Sequence, residues 1–249
     1  MSSLKRKIAH IAERLSGAII VHPAELYQLP ERMHLRRFFK HFDVDCVFDV
    51  GANIGQYAMH LREEVNFKGT IISFEPMPRA AAQLEKRAAS DPNWHVVQLA
   101  LDREEGPATF NVMDSDTFSS LHMPLPDQPS AFHTQNVICQ QIEVMRSTLA
   151  VELPKWQEKF GFIHPFLKMD TQGNDLAVFE GAGDAIAGFV GLQSELSFQT
   201  IYEGSPHFSE VLDLYSSKGF RLSALVSNTA GIFPDLIEMD CIMYRESET

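Results

Sequence analysis

A chain of 249 residues with 45% hydrophobic and 22% charged residues has the size of one α/β domain with small additions, and buries a core without disulfide or metal staples. Its formal net charge of −12 argues against binding nucleic acid through phosphates and suits neutral or cationic small ligands. The three cysteines, Cys46, Cys139 and Cys241, are far apart and lack C-x-x-C spacing; this disfavours a disulfide framework and points to a reducing, cytoplasmic compartment.

Leu4, Ile8, Ile11, Ala12 and Leu15 recur at helical spacing, with Lys5, Arg6, Lys7 and Arg14 elsewhere around the helix. Such a segment suits packing on its own domain or a partner subunit, with an acidic membrane surface as the alternative. Residues 17–21 are too short an apolar run for a signal peptide or a membrane span. Residues 1–42 read as an N-terminal helical extension broken at Pro23 and Pro30, and residues 43–249 as the main domain.

From residue 46 strands and helices alternate. Strands are expected at 46–50, 70–74 and 94–100, with helices at 54–64 and 79–90 between them. Short strands follow at 109–113 and 141–145, separated by a proline-containing loop over 114–137 of the kind that often binds ligands. A helix at 152–160, a strand at 163–169, a helix at 174–180, a strand at 190–196 and a helix at 208–218 continue the pattern. Residues 220–226 and 236–244 are strands joined without a helix, so one of them runs antiparallel. The fold class is α/β: a Rossmann-like, mostly parallel sheet covered by helices on both faces and closed by a C-terminal antiparallel hairpin.

Four strand ends carry the chemistry. Asp49-Val-Gly51-Ala-Asn53-Ile-Gly55 forms the first strand-to-helix turn, where glycines let a ligand approach bare backbone and free N–H groups of the helix. The G-x-N-x-G spacing differs from the dinucleotide pattern, and Asp49 suits an ammonium group better than a phosphate. Glu75, one βαβ unit later, is placed to accept hydrogen bonds from ribose hydroxyls. Ala100-Leu101-Asp102 ends the third strand, where it borders an adenine ring or, for Asp102, serves a turn. Lys168-Met-Asp170-Thr-Gln172 ends the fourth long strand, and Glu195 ends the next. Asn174 and Asp175 also suit a helix cap, which leaves Asp170 unexplained. Ten histidines and ten methionines show no ligand spacing and read as packing or surface residues.

The stretches Val47-Phe-Asp-Val-Gly-Ala-Asn-Ile-Gly-Gln56, Phe74-Glu-Pro76, Leu167-Lys-Met-Asp-Thr-Gln-Gly173 and Met239-Asp-Cys-Ile-Met-Tyr244 together resemble the FkbM-type methyltransferases, of the class I S-adenosylmethionine-dependent superfamily. The resemblance spans roughly residues 35–245. It implies a seven-stranded sheet with a reversed last strand. It implies that Asp49, Gly51, Asn53 and Gly55 hold the methionine end of S-adenosylmethionine and that Glu75 holds the ribose. It implies O-methylation of a hydroxyl on a sugar, glycolipid, polyketide or similar secondary metabolite. Gln172 stands where the family often has Glu, and Ala150 where it often has Asp; both bear on the acceptor side.

With an already electrophilic methyl group, the protein must align the acceptor oxygen, exclude water and supply a base. Asp170 is the expected base or acceptor-orienting residue, Glu195 the second candidate and Lys168 the charge partner. A divalent ion held by Asp170 with Asn174 or Glu195 is an alternative means of acidifying the hydroxyl, although no metal ligand set is expected. The acceptor is expected to be a small molecule, a glycan or a lipid-linked group, shaped by residues 114–137 and 197–210. Two other function classes compete: a nicotinamide oxidoreductase, disfavoured by the glycine spacing and the hairpin, and a catalytically silent cofactor-binding or scaffold protein.

Overall fold

The computed structural model describes residues 12, 16–17, 19–229, 231–232 and 234–246. The amphipathic stretch 4–15 therefore lies outside the described residues apart from Ala12. Among the described residues, no helix is long and apolar enough to cross a membrane.

A 3-10 turn over Pro23–Gln28 leads into α1, Leu29–His41, with a proline in its first turn where the missing N–H costs nothing. Helix α1 packs inward: Leu35, Phe38 and Phe39 are buried, and the Phe38 and Phe39 rings meet Phe166 at 5.3 and 5.1 Å. The strands that follow are β1 (Cys46–Val50), β2 (Thr70–Phe74) and β3 (Trp94–Val97). Between them lie α2 (Gln56–His60), which continues as a π turn over Leu61–Val65, and α3 (Pro78–Ala88).

The expected strand 94–100 divides. The Leu99 amide bonds back to the Val97 carbonyl at 3.0 Å, which turns the chain and sends β4 (Ala100–Leu101) into a second sheet with β5 (Gly106–Met113) and β6 (Ile138–Ser147). The next helix, α4 (Leu149–Phe160), starts three residues before the expected 152 because the Thr148 side chain accepts from the Val151 amide as an N-cap.

The remaining elements are β7 (Pro165–Met169), α5 (Asp175–Glu180), β8 (Gly191–Ser197), α6 (Phe208–Ser217), β9 (Phe220–Val226) and β10 (Glu238–Arg245). The main sheet has seven strands in the order β3-β2-β1-β7-β8-β10-β9. Strands β3, β2, β1, β7 and β8 are parallel, and β10 runs antiparallel to both β8 and β9. This is the Rossmann-like α/β sheet with a reversed last strand. Every residue of β1 and β7 is buried, as expected for central strands covered on both faces.

The sheet order reverses at β1 and β7, and open α/β sheets bind ligands outside the carboxyl ends of strands at such a point. Because β10 is reversed, it delivers its amino-terminal residues, Glu238 and Asp240, to that same edge.

Phe38 joins α1 to the sheet, so Phe38→Ala is expected to cost about 3–5 kcal/mol, measured by urea denaturation; a loss well below 1 kcal/mol would show that α1 is not part of the core.

Candidate functional site

A cavity of about 970 Å³ opens along the carboxyl edge of the sheet. One end is walled by the β1–α2 turn, Glu75 and Leu101, and the other by Asp170, Glu195, Glu238 and Asp240.

The turn is shaped by backbone constraints. Gly51 has φ +76°, and a Cβ there would sit 2.0 Å from the Asp170 carbonyl oxygen. Gly55 has φ +91°, and a Cβ there would strike Leu84 and Trp94 at 2.7 and 2.8 Å. Glycine at 51 thus lets β1 and β7 meet closely, and glycine at 55 lets α2 lie against α3 and β3. Asn53 takes the left-handed conformation between them, at φ 48°.

Glu75 ties this turn to the next strand. Its Oε2 accepts from the Asn53 amide and its Oε1 from the Met77 amide, each at 2.8 Å. Burial pushes the Glu75 carboxyl up to about 7 against the pull of those two amides. A carboxylate offers about four acceptor positions, so Glu75 keeps capacity for ligand hydroxyls on its cavity side.

Leu101 lines the cavity beside Ala100 and Leu99. Asp102 does not: it accepts from Arg146 at 2.7 Å and from the Arg103 amide at 2.8 Å. The structure thus places Asp102 in a turn and an ion pair, apart from the other predicted site residues.

Asp49 lies beneath the turn rather than in the cavity wall. It is fully buried, and its Oδ2 accepts from Ser73 Oγ at 2.9 Å. Its Oδ1 has the Lys168 ammonium at 3.7 Å. Burial raises the Asp49 carboxyl above the usual range, opposed by Lys168 and Ser73.

Lys168 donates to Asp170 Oδ2 at 3.3 Å and lies over the Tyr57 ring, 5.1 Å from its centroid. Burial alone would lower its pKa, but Asp170, Asp49 and Asp240 outweigh burial and hold it above the usual lysine value. Lys168 is therefore a fixed cation. Asp170 is the open member of this group: its side chain is 44% exposed, against 6% for Lys168 and 0% for Asp49.

Asp175 is buried and saturated, accepting from the Thr171 amide and hydroxyl and from Ser194 Oγ and the Glu195 amide. It stabilises the β7–α5 turn. Asn174 makes no side-chain cap to α5; it bonds instead to His122 and the Leu101 carbonyl.

Glu195 accepts from Asn228 at 2.8 Å and from Gln172 at 3.4 Å. Strand pairing sets Asp240 directly opposite Glu195, and Glu238 two residues along on the same face. Asp240 accepts from Gln193 at 2.7 Å, and the same Gln193 amide reaches Glu31 of α1. Burial raises all three carboxyls: Glu195 well above its usual range with help from Glu238, Glu238 to about 7 and Asp240 to about 8.

Glu238, Asp240, Glu31 and Gln193 are site residues that the sequence reading missed. The alternation Glu238-x-Asp240 on a strand was visible, but its partner strand was not. Residues 116–119, 121, 132 and 135 of the long loop line the cavity. Segment 197–210 does not line it; this segment contributes Tyr202, whose hydroxyl lies behind the wall at 3.0 Å from Gln172 Oε1. Among the described residues, no group of three or more His, Cys, Asp or Glu side chains is arranged to hold a metal ion.

The profile of the methyltransferase FkbM domain matches residues 49–222. No curated protein sequence matches the chain. Among solved structures, the methyltransferase domain of bacterial CtHen1 is 10% identical, with 88% of this chain and 99% of that chain covered and a TM-score of 0.46. Magnesium protoporphyrin IX methyltransferase from Synechocystis PCC 6803, solved with bound SAM, is 7% identical over 97% of both chains at a TM-score of 0.42. Aeropyrum pernix fibrillarin, solved with S-adenosyl-L-methionine, is 12% identical, covering 79% of this chain and 66% of that chain at a TM-score of 0.42.

Two outcomes follow from the buried charges. Lys168→Met leaves Asp49 buried without its cation and is expected to destabilise by about 3 kcal/mol or more. Adding Asp49→Asn should recover part of that loss; a double variant no more stable than the single one would refute the pairing. Glu238 is raised in the folded state, so its contribution is fully present below its unfolded pKa and is lost as pH rises towards about 7. Glu238→Gln should therefore raise the melting temperature at pH 8.5, by on the order of 1 kcal/mol of stability, and change little at pH 4. Equal effects at both pH values would contradict this electrostatic account.

Proposed function

The chain belongs to the FkbM methyltransferase family, and from that premise we propose that it O-methylates a hydroxyl of a sugar, glycolipid or secondary metabolite, with Asp170 as the base. S-adenosylmethionine is the cofactor, and when bound it supplies a methyl group already electrophilic on a sulfonium. The turn Gly51–Asn53, Glu75 and Leu101 form the wall suited to hold it. Glu75 fits this role by its chemistry: it is a desolvated carboxylate with acceptor capacity left on the cavity side. Asp49 and Gly55 support that wall from below.

One observation carries the assignment of Asp170. Its backbone carbonyl packs on Gly51 of the cofactor turn, while its exposed carboxylate faces the acid-lined end of the cavity. A hydroxyl placed between the two ends would meet the exposed Asp170 carboxylate before Glu195, whose carboxyl is raised well above its usual range by burial. Asp170 accepts the hydroxyl proton as the oxygen becomes nucleophilic. Lys168 holds Asp170 from beneath.

The acceptor end is walled by Asp170, Glu195, Glu238 and Asp240. Phosphorylated groups and nucleic acid would meet the exposed Asp170 carboxylate and a wall of acceptor oxygens there. A neutral polyhydroxy acceptor suits it, with hydroxyls donating to carboxylates. Glycans, lipid-linked sugars and small secondary metabolites meet that description.

Transfer of a labelled methyl group from S-adenosylmethionine to a panel of sugars, glycolipids and polyketide alcohols tests the reading. Asp170→Asn should lower turnover roughly 100-fold or more while calorimetric cofactor affinity stays within about twofold, because the residue acts on the acceptor side. Near-normal turnover in that variant would remove Asp170 from the role of base.

A further inference from the structure

Gln172 sits between the end of β7 and the start of α5 in a left-handed backbone conformation, φ 54°. Its side-chain Nε2 donates to Asp170 Oδ1 at 2.9 Å and to Glu195 Oε2 at 3.4 Å. Its Oε1 accepts from the Tyr202 hydroxyl at 3.0 Å. That hydroxyl also lies 2.8 Å from the Phe118 carbonyl, and Ser120 Oγ donates to the Gln172 carbonyl at 2.6 Å. One side chain therefore meets the ends of two strands and, through Tyr202, the cavity-lining loop.

The amide has two ways to lie, and the neighbours select between them. With Nε2 towards Asp170 and Glu195, each N–H meets a carboxylate oxygen. Turned over, the amide oxygen would face the exposed Asp170 carboxylate and be repelled. The Tyr202 hydroxyl has one proton, which Oε1 shares with the closer Phe118 carbonyl, so the carboxylate side sets the orientation.

We infer that Gln172 is a positioning residue: its amide holds the Asp170 carboxylate in place and aims its second oxygen into the cavity. The inference rests on the reading of Asp170 as the base. Oδ2 is left to Lys168 and to an incoming hydroxyl, while Oδ1 is fixed. A glutamate at 172 would set a carboxylate against Asp170 where the amide donates.

The test needs no acceptor. The full chain is labelled with [4-13C]aspartate, the Asp170 resonance is assigned by its loss in Asp170→Asn, and its carboxyl is titrated by NMR. The other ionisable groups that interact with Asp170 are Lys168, Asp49, Asp175, Glu195, Tyr202, Glu238 and Asp240, and the Gln172 variants leave all of them in place. Gln172→Glu should move the Asp170 midpoint up by about one pH unit, and Gln172→Met should move it up by less. A midpoint that stays put in both variants, with native melting, overturns the inference. If neither variant folds, Gln172→Asn, which suits the left-handed backbone but shortens the reach to Asp170, takes their place: an upward shift there supports the inference, and none overturns it. The two readings fail separately. Normal turnover in Asp170→Asn with a shifted midpoint in Gln172→Glu removes the base but keeps the positioning, and the opposite pair of results does the reverse.

Discussion

The ammonium of Lys168 lies in the middle of a fully buried strand, directly opposite Asp49 in the pairing of β1 with β7. Two carboxylates flank it, Asp49 within the sheet and Asp170 at its edge. A slip of one residue between these strands would put Lys168 and Asp49 on opposite faces and leave both charges unpaired in the core. The ion pair thus ties the register of the central strands to the charge balance of the site. That register also sets the Asp170 carbonyl over Gly51, and with it the distance between the cofactor turn and the acceptor wall.

Features set by local chain geometry were legible in the sequence. The turn from Asp49 to Gly55 follows from glycine spacing at a strand end, and Glu75 and Asp170 lie at the ends of apolar runs that can only be buried strands. The lysine between two acids could be named as a charge partner because Lys168 and Asp170 share a face of one strand. Other features depended on pairings between distant segments. Glu238 and Asp240 reach the site only because β10 is reversed and inserted beside β8. Glu31 reaches it because the phenylalanines of α1 anchor that helix to β7. The position of Asp102 is settled by Arg146, which arrives on β6 of a sheet whose pairing could not be read from sequence. The break after Val97 was equally hidden, since apolar residues continue through it.

The long loop 114–137 contributes in a way its composition does not advertise. Phe118 and Ser120 bond to Tyr202 and Gln172, and His122 bonds to Asn174. These contacts stitch the loop to the segment that carries Asp170. Phe118 and Phe132 also pack together, ring centroids 5.1 Å apart, against the apolar cluster of Met113, Ile201, Tyr202 and Ile237. The loop is thus connected to the segment that carries the proposed base.

Strand β10 fills the slot between β8 and β9. On the ribosome β8 and β9 emerge first, and the strand that joins them comes later. Until residues 238–245 appear, both neighbours present unpaired edges that can recruit the wrong strand. The same late insertion brings Glu238 and Asp240 to the cavity. Completion of the acidic wall is thus coupled to closure of the sheet, and in a nascent chain the turn from Asp49 to Gly55 exists before that wall is complete.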